Sequence, residues 1–142
     1  MESKVFVDTD VIIDFLIDRQ PYSQSATIIF DLADKKKLSI STSALCFNNI
    51  HYIVRKILGE VKTREVISEL FEIVDVLSVS KVDLLNAIQS DIKDFKDAIQ
   101  HSVAISDNSI KTIITRNTKD YKKSKISVFN SDTFIKMIKN ER

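Results

Sequence analysis

The chain has 142 residues, 44% hydrophobic and 29% charged, with a formal net charge of +1, the profile of one soluble globular domain spanning residues 1–142. Balanced charge excludes a global polyanion-binding surface, the single Cys46 excludes a disulfide framework or thiolate metal centre, and the single Gly59 excludes a dinucleotide fingerprint or Walker A loop. No uncharged run is long enough to span a membrane, and Glu2, Lys4, Asp8, Asp10 and Asp14 interrupt any apolar leader, so a cytoplasmic location is expected.

The chain opens with a strand, Val5-Phe6-Val7, expected to end at Asp8, with Thr9 or Asp10 capping the next helix. That helix, Val11 to Ile17, is too apolar for a surface helix and is expected to be buried on most sides, with Asp14 and Asp18 on its wet side. Asp18-Arg19-Gln20-Pro21 ends it, and a second helix follows from about Tyr22 to Lys36. Leu38 to Thr42 alternates as a strand. Ser43 is the expected N-cap of a helix reaching Leu58, stopped by Gly59 in the left-handed C′ conformation, and a further helix runs from about Thr63 to Ile73.

Val74 to Val79 is a short strand, and Ser80-Lys81-Val82-Asp83 has the form of a capping box with Asp in place of Glu. Another helix begins at Asp94 or Phe95 and runs to Asp107; Ile110 to Thr115 is a buried strand, Ile126 to Phe129 an edge strand, and Ser131 or Asp132 opens the last helix. Strands separated by helices predict a parallel sheet covered on both faces, joined by right-handed crossovers.

In such a sheet every strand C-terminus lies on one edge, and three distant stretches put polar groups there: Asp8 and Asp10; Asp94 and Asp97; Thr115, Asn117 and Asp120. Carboxylates beside a core strand need a positive partner. Converging acids make an oxygen cage suited to Mg²⁺ or Mn²⁺, and the reaction class that follows is metal-assisted hydrolysis. Taken singly, Asp10 and Asp94 also read as helix caps, Asp97 as a dipole-favoured first-turn acid, and His51 and His101 as surface or packing residues.

The blocks Val5-Phe6-Val7-Asp8-Thr9-Asp10, Asp94-Phe95-Lys96-Asp97-Ala98-Ile99-Gln100 and Ile114-Thr115-Arg116-Asn117-Thr118-Lys119-Asp120-Tyr121 together resemble the signature blocks of PIN domains, in the same order. The resemblance implies a three-layer α/β/α fold around a parallel sheet of four to five strands. It also implies a metal-dependent endoribonuclease that cuts single-stranded RNA, most commonly the toxin of a VapBC-type toxin–antitoxin pair. Asp8 and Asp97 would be metal ligands, the later acid falls on Asn117 or Asp120, and Thr115 would orient a ligand. Where such domains commonly carry a glutamate this chain has Asn49, beside Asn48, which offers a carbonyl oxygen but no charge. An antitoxin partner and a homodimer, through faces around Phe71 or Phe47, are further implications.

Lys119, Lys122, Lys123 and Lys125, with Lys56 and Arg55, are candidate phosphate contacts, and Tyr121 or Tyr52 candidate stacking platforms for an unpaired base. Two other readings compete. One is a catalytically weakened PIN-like module that holds RNA or protein, favoured by Asn49. The other is a haloacid-dehalogenase-like phosphatase with Asp8 as nucleophile, disfavoured by the absence of a glycine after Asp10.

Overall fold

The computed structural model describes residues 3–140. In chain order they form β1 (Ser3–Val7), α1 (Thr9–Leu16), α2 (Ser23–Asp34), β2 (Leu38–Ser43), α3 (Leu45–Leu58), α4 (Glu60–Leu70), β3 (Val74–Leu77), α5 (Lys81–Ile88), α6 (Phe95–Ile105), β4 (Ile110–Ile114), a 3-10 turn (Thr118–Tyr121), β5 (Ser127–Phe129) and α7 (Ser131–Asn140). The five strands are all parallel, in the order β3-β2-β1-β4-β5. Among the described residues no helix is long and apolar enough to cross a membrane.

Strand alternation divides the core into two layers. Val5 and Val7 of β1 pack with Ile12, Ile29, Phe30, Ile50 and Phe134 from α1, α2, α3 and α7, while Phe6 faces Ala98, Val103 and Tyr121 beside α5 and α6. Phe6 and Val7 are fully buried, and each apolar side chain so enclosed contributes roughly 1.5–3 kcal/mol. The result is the expected α/β/α sandwich with helices on both faces.

Several helix ends differ from expectation, each for a local reason. Ser43 completes β2 instead of capping α3, because its hydroxyl is drawn to Gln100. The cap of α1 is Asp8 itself, whose carboxylate accepts the Thr9 N–H at 2.8 Å. Gly59 has φ 82° and ψ 165°, a region that is almost exclusively glycine's and not the expected left-handed helical one, and α4 starts directly after it. Asn130 occupies the capping position of α7, accepting the Thr133 N–H at 2.8 Å. The capping box at α5 forms as expected, with the Asp83 carboxylate accepting the Ser80 N–H at 2.9 Å.

The chain moves from β1 outward through β2 and β3, then returns to the opposite side of β1 with β4 and β5. The crevice above β1 and β4 is therefore the topological switch point, where open parallel sheets place their ligand sites. Asp8 follows β1 there, Thr115 follows β4, and α6 closes the crevice.

Candidate active site

Asp8 is 3% exposed, yet both of its oxygens are served. Oδ1 accepts from Thr9 N and, at 2.8 Å, from Gln100 Nε2; Oδ2 accepts from the Thr115 hydroxyl at 2.9 Å and the Tyr121 hydroxyl at 3.4 Å. All of these donors are neutral. They fix the carboxylate without cancelling its charge, which is how a metal ligand must be held. Gln100 is itself fully buried, and its Oε1 accepts from the Ser43 hydroxyl and, at 3.3 Å, from Cys46 Sγ. That chain locks the amide so that its N–H₂ faces Asp8.

Asp97 stands in the first turn of α6, whose N-cap Asp94 accepts the Asp97 N–H at 2.9 Å. Its Oδ1 lies 3.4 Å from the Tyr121 hydroxyl, so one phenol spans Asp8 and Asp97 and shares its single hydrogen between them. Burial, then the charges of Asp8 and Asp94, push Asp97 up to about 6 against the weaker pull of Lys96, with Asp120 adding to the rise. Asp10 is pushed up to about 7, first by burial and then by Asp8. Its Oδ2 accepts the Arg116 N–H at 3.1 Å, while Oδ1 is buried without a hydrogen-bond partner. The same burial and charge drive the Tyr121 phenol far above its ordinary range, so it stays protonated and donates.

Asp14 corrects the sequence reading. It is 1% exposed rather than on the wet side of α1, because Arg116 from the β4 loop meets it, with Nε 2.9 Å from Oδ2 and Nη2 donating to Oδ1 at 3.2 Å. Arg19 stands farther off at 3.7 Å. Burial raises the Asp14 carboxyl against these cations. The Arg116 guanidinium also lies over the Tyr22 ring, 4.1 Å from its centre.

The structure brings Asp8, Asp97 and Thr115 into direct contact with one network. Asn117 and Asp120 are exposed on the adjoining 3-10 turn; Asn117 N–H donates to Thr115 Oγ1 at 3.1 Å, and Asp120 acts on Asp97 through its charge. Asn49 is half-buried on α3, one turn beyond Cys46, and among the described residues its side chain forms no hydrogen bond. Lys119 and Lys122 are exposed beside Asp120. Lys123 and Lys125 line a different crevice, of about 310 Å³, with Asn86 and His101. Lys56 lies over Tyr52 on the outside of α3, 3.9 Å from the ring centre.

Tyr121 cannot be a stacking platform, since it is 1% exposed and its hydroxyl points between the two acids. His101 is buried and accepts the Lys125 N–H at 3.0 Å, and burial holds its pKa down, in keeping with a packing role. Sequence reading gave no role to Gln100, although it lies one turn after Asp97 on the same buried face of α6.

The donor set fits a hard divalent cation. Asp8 and Asp97 would hold it as oxygen ligands, with the unpartnered Oδ1 of Asp10 beside them. Among the described residues no three His, Cys, Asp or Glu side chains already form a closed ligand group. The arrangement is an open pair of carboxylates, as a catalytic ion that keeps positions for water and substrate requires.

The chain and its fold are similar to those of known proteins. Over 136 residues the chain is 24% identical to Ribonuclease VapC1 of Aquifex aeolicus (strain VF5), with 92% of each chain covered. Its fold matches the DNA-bound VapBC structure from Salmonella typhimurium with a TM-score of 0.66 at 16% identity, covering 92% of this chain and 99% of that one. It also matches Mycobacterium tuberculosis VapC20, described as a sarcin-ricin loop cleaving toxin, with a TM-score of 0.60 at 17% identity, covering 77% and 86%. The PIN domain model aligns with residues 4–119, from β1 through the turn that carries Asn117, which sets the phosphatase reading aside. With its sheet order, its switch-point acids and more than half its length accounted for by one family, the chain belongs to the PIN domain family.

Proposed function

We propose that this chain is a metal-dependent endoribonuclease acting on single-stranded RNA, the toxin of a toxin–antitoxin pair. The observation that carries the reading is the joining of Asp8 and Asp97, from distant parts of the chain, through the single Tyr121 hydroxyl at 3.4 Å to each. Support comes from a relative named as a ribonuclease and from fold neighbours that are toxins or toxin–antitoxin complexes. Mg²⁺ or Mn²⁺, when bound, supplies activation of water and neutralisation of charge on the phosphodiester.

The chain's own residues set the stage for that chemistry. Asp8 and Asp97 bind the ion, with Asp120, Asn117 and Asp10 completing its surroundings. Thr115 and Gln100 orient Asp8. Lys119 and Lys122 neutralise flanking phosphates, a contact that weakens with salt. An antitoxin and a second copy of the chain are the protein partners of this reading. Phe71, 53% exposed and 5.1 Å from Phe47 between ring centres, is the apolar element offered to the second copy.

The test is cleavage of mixed-sequence single-stranded RNA across a Mn²⁺ series by wild type and by Asp8→Asn, with RNA binding measured in parallel. Metal-dependent cutting that disappears in the variant supports the proposal. Equal inertness of both proteins, with RNA still bound, favours the second reading of a non-catalytic module, for which the neutral Asn49 speaks.

A further inference from the structure

A crevice of about 430 Å³ opens beside the acids, between the N-termini of α2 and α7 and the loop after β4. Its walls include Tyr22, Arg116, Asn117, Asn130, Ser131 and Asp14. The crevice adjoins the acid cluster without being lined by Asp8, Asp10 or Asp97: Arg116 donates its backbone N–H to Asp10, and the next residue, Asn117, donates to Thr115, which holds Asp8.

Its composition is unusual for a merely structural cleft. Tyr22 is 43% exposed, and its ring is held by the guanidinium of Arg116, which the buried Asp14 carboxylate fixes in turn. An exposed aromatic ring immobilised before any ligand arrives loses little conformational freedom when something stacks on it. Around it stand two exposed amides. Asn130 spends its Oδ1 on the Thr133 N–H and keeps its NH₂ for other partners, and the Asn117 side chain forms no hydrogen bond among the described residues. A rigid aromatic or guanidinium plane flanked by amide donors and acceptors is what recognises an unstacked base of single-stranded RNA, by stacking and by hydrogen bonds to its edges. The volume also suits one nucleotide.

We infer that this crevice is a nucleobase subsite, in which Tyr22 and Arg116 hold the base next to the cleaved phosphate while Asn130 contacts its edge. This assignment rests on the nuclease reading and deepens it. Tyr22 thereby becomes a specificity residue of the reaction, outside the acid cluster itself.

The experiment measures binding of labelled single-stranded RNA oligomers to the full chain in EDTA, which stops a metal-dependent cut, and then cleavage with Mn²⁺ restored. Tyr22→Phe should bind as wild type does, and Tyr22→Ala about tenfold more weakly, the loss expected for one stacked base. Oligomers carrying one abasic position each, scanned along the strand, should reveal a single position next to the cut where wild type loses affinity and Tyr22→Ala loses nothing more. If Tyr22→Ala, folded by its melting curve, binds and cuts as wild type does, the subsite is wrong while the nuclease reading stands. Abasic losses identical in both proteins at every position would overturn the subsite in the same way. If wild type neither binds nor cuts RNA, the nuclease reading falls and takes the subsite with it.

Discussion

Strands β1 and β4 carry acids at both ends, and the two ends are built oppositely. At the N-terminal end, Lys4 of β1 donates to Asp107, just before β4, at 2.8 Å, and that bond together with Ser109 holds the Asp107 carboxyl down at about 2. At the C-terminal end, Asp10 and Asp97 are held up, at about 7 and about 6, by burial and by Asp8. One end has matched its charges and the other has concentrated them. Raised carboxyls gathered in one crevice are the feature expected of a functional edge, and the paired acid at the opposite end lacks it.

The largest effect that contrast predicts is loss of activity at the unmatched end. Asp97→Asn removes one carboxylate charge at constant volume, and on the proposed role of Asp97, with several kcal/mol of charge stabilisation at stake, cleavage should fall by about 1000-fold or more. Its melting temperature without metal should not fall, because a repelling charge has gone. A variant that unfolds, or cuts at an undiminished rate, would break the comparison.

Gln100→Leu comes next. It leaves Asp8 without one of its fixed donors and strands the Ser43 hydroxyl, so activity or Mn²⁺ affinity should drop about 10- to 100-fold. Stability should fall by roughly 1–3 kcal/mol from the unpaired buried groups. A titration of metal binding, separate from the rate assay, shows whether the residue acts through the site. Unchanged Mn²⁺ affinity and rate alongside a lower melting temperature would reduce Gln100 to packing.

The pH dependence of stability has a definite sign. Carboxyls raised in the folded state, as Asp10 and Asp97 are, favour folding while protonated, and that contribution is lost as pH rises from 3.8 through about 6 and 7. Asp107, lowered instead, loses its contribution only as pH falls from 3.8 through about 2. Metal-free protein should therefore melt at higher temperature near pH ~5 than near pH ~8, and Mn²⁺ should stabilise it mainly at the higher pH. A melting temperature that rises from acid to neutral pH without metal would contradict the assignment. Smallest of all is Lys4→Ala, whose half-buried pair at the sheet's edge should shift the melting temperature slightly, less so in high salt, and leave cleavage untouched.

Much of the fold is legible in the sequence because it is local. The apolar runs of β1 and β4, the alternation in β2, the Ser80 capping box and the Asp94 cap are each decided by neighbours within a turn or two. Asp8 and Asp97 are legible as a pattern in chain order. The pieces that escape depend on partners far away. Asp14 looks exposed until Arg116, 102 residues later, covers it. Ser43 looks like a cap until Gln100, 57 residues later, takes its hydroxyl. Tyr121 offers an aromatic ring to sequence reading, whereas the fold uses its oxygen and buries the ring.

The order in which the site is made follows from the position of β1. Within residues 3–140, Asp8 and the central strand precede β2, which covers one edge of β1, and long precede β4, which covers the other. Asp97, Gln100, Thr115 and Tyr121 all arrive late as well. Asp8 therefore waits for its partners, and the acid cluster is complete only once α6, β4 and the 3-10 turn have all been made.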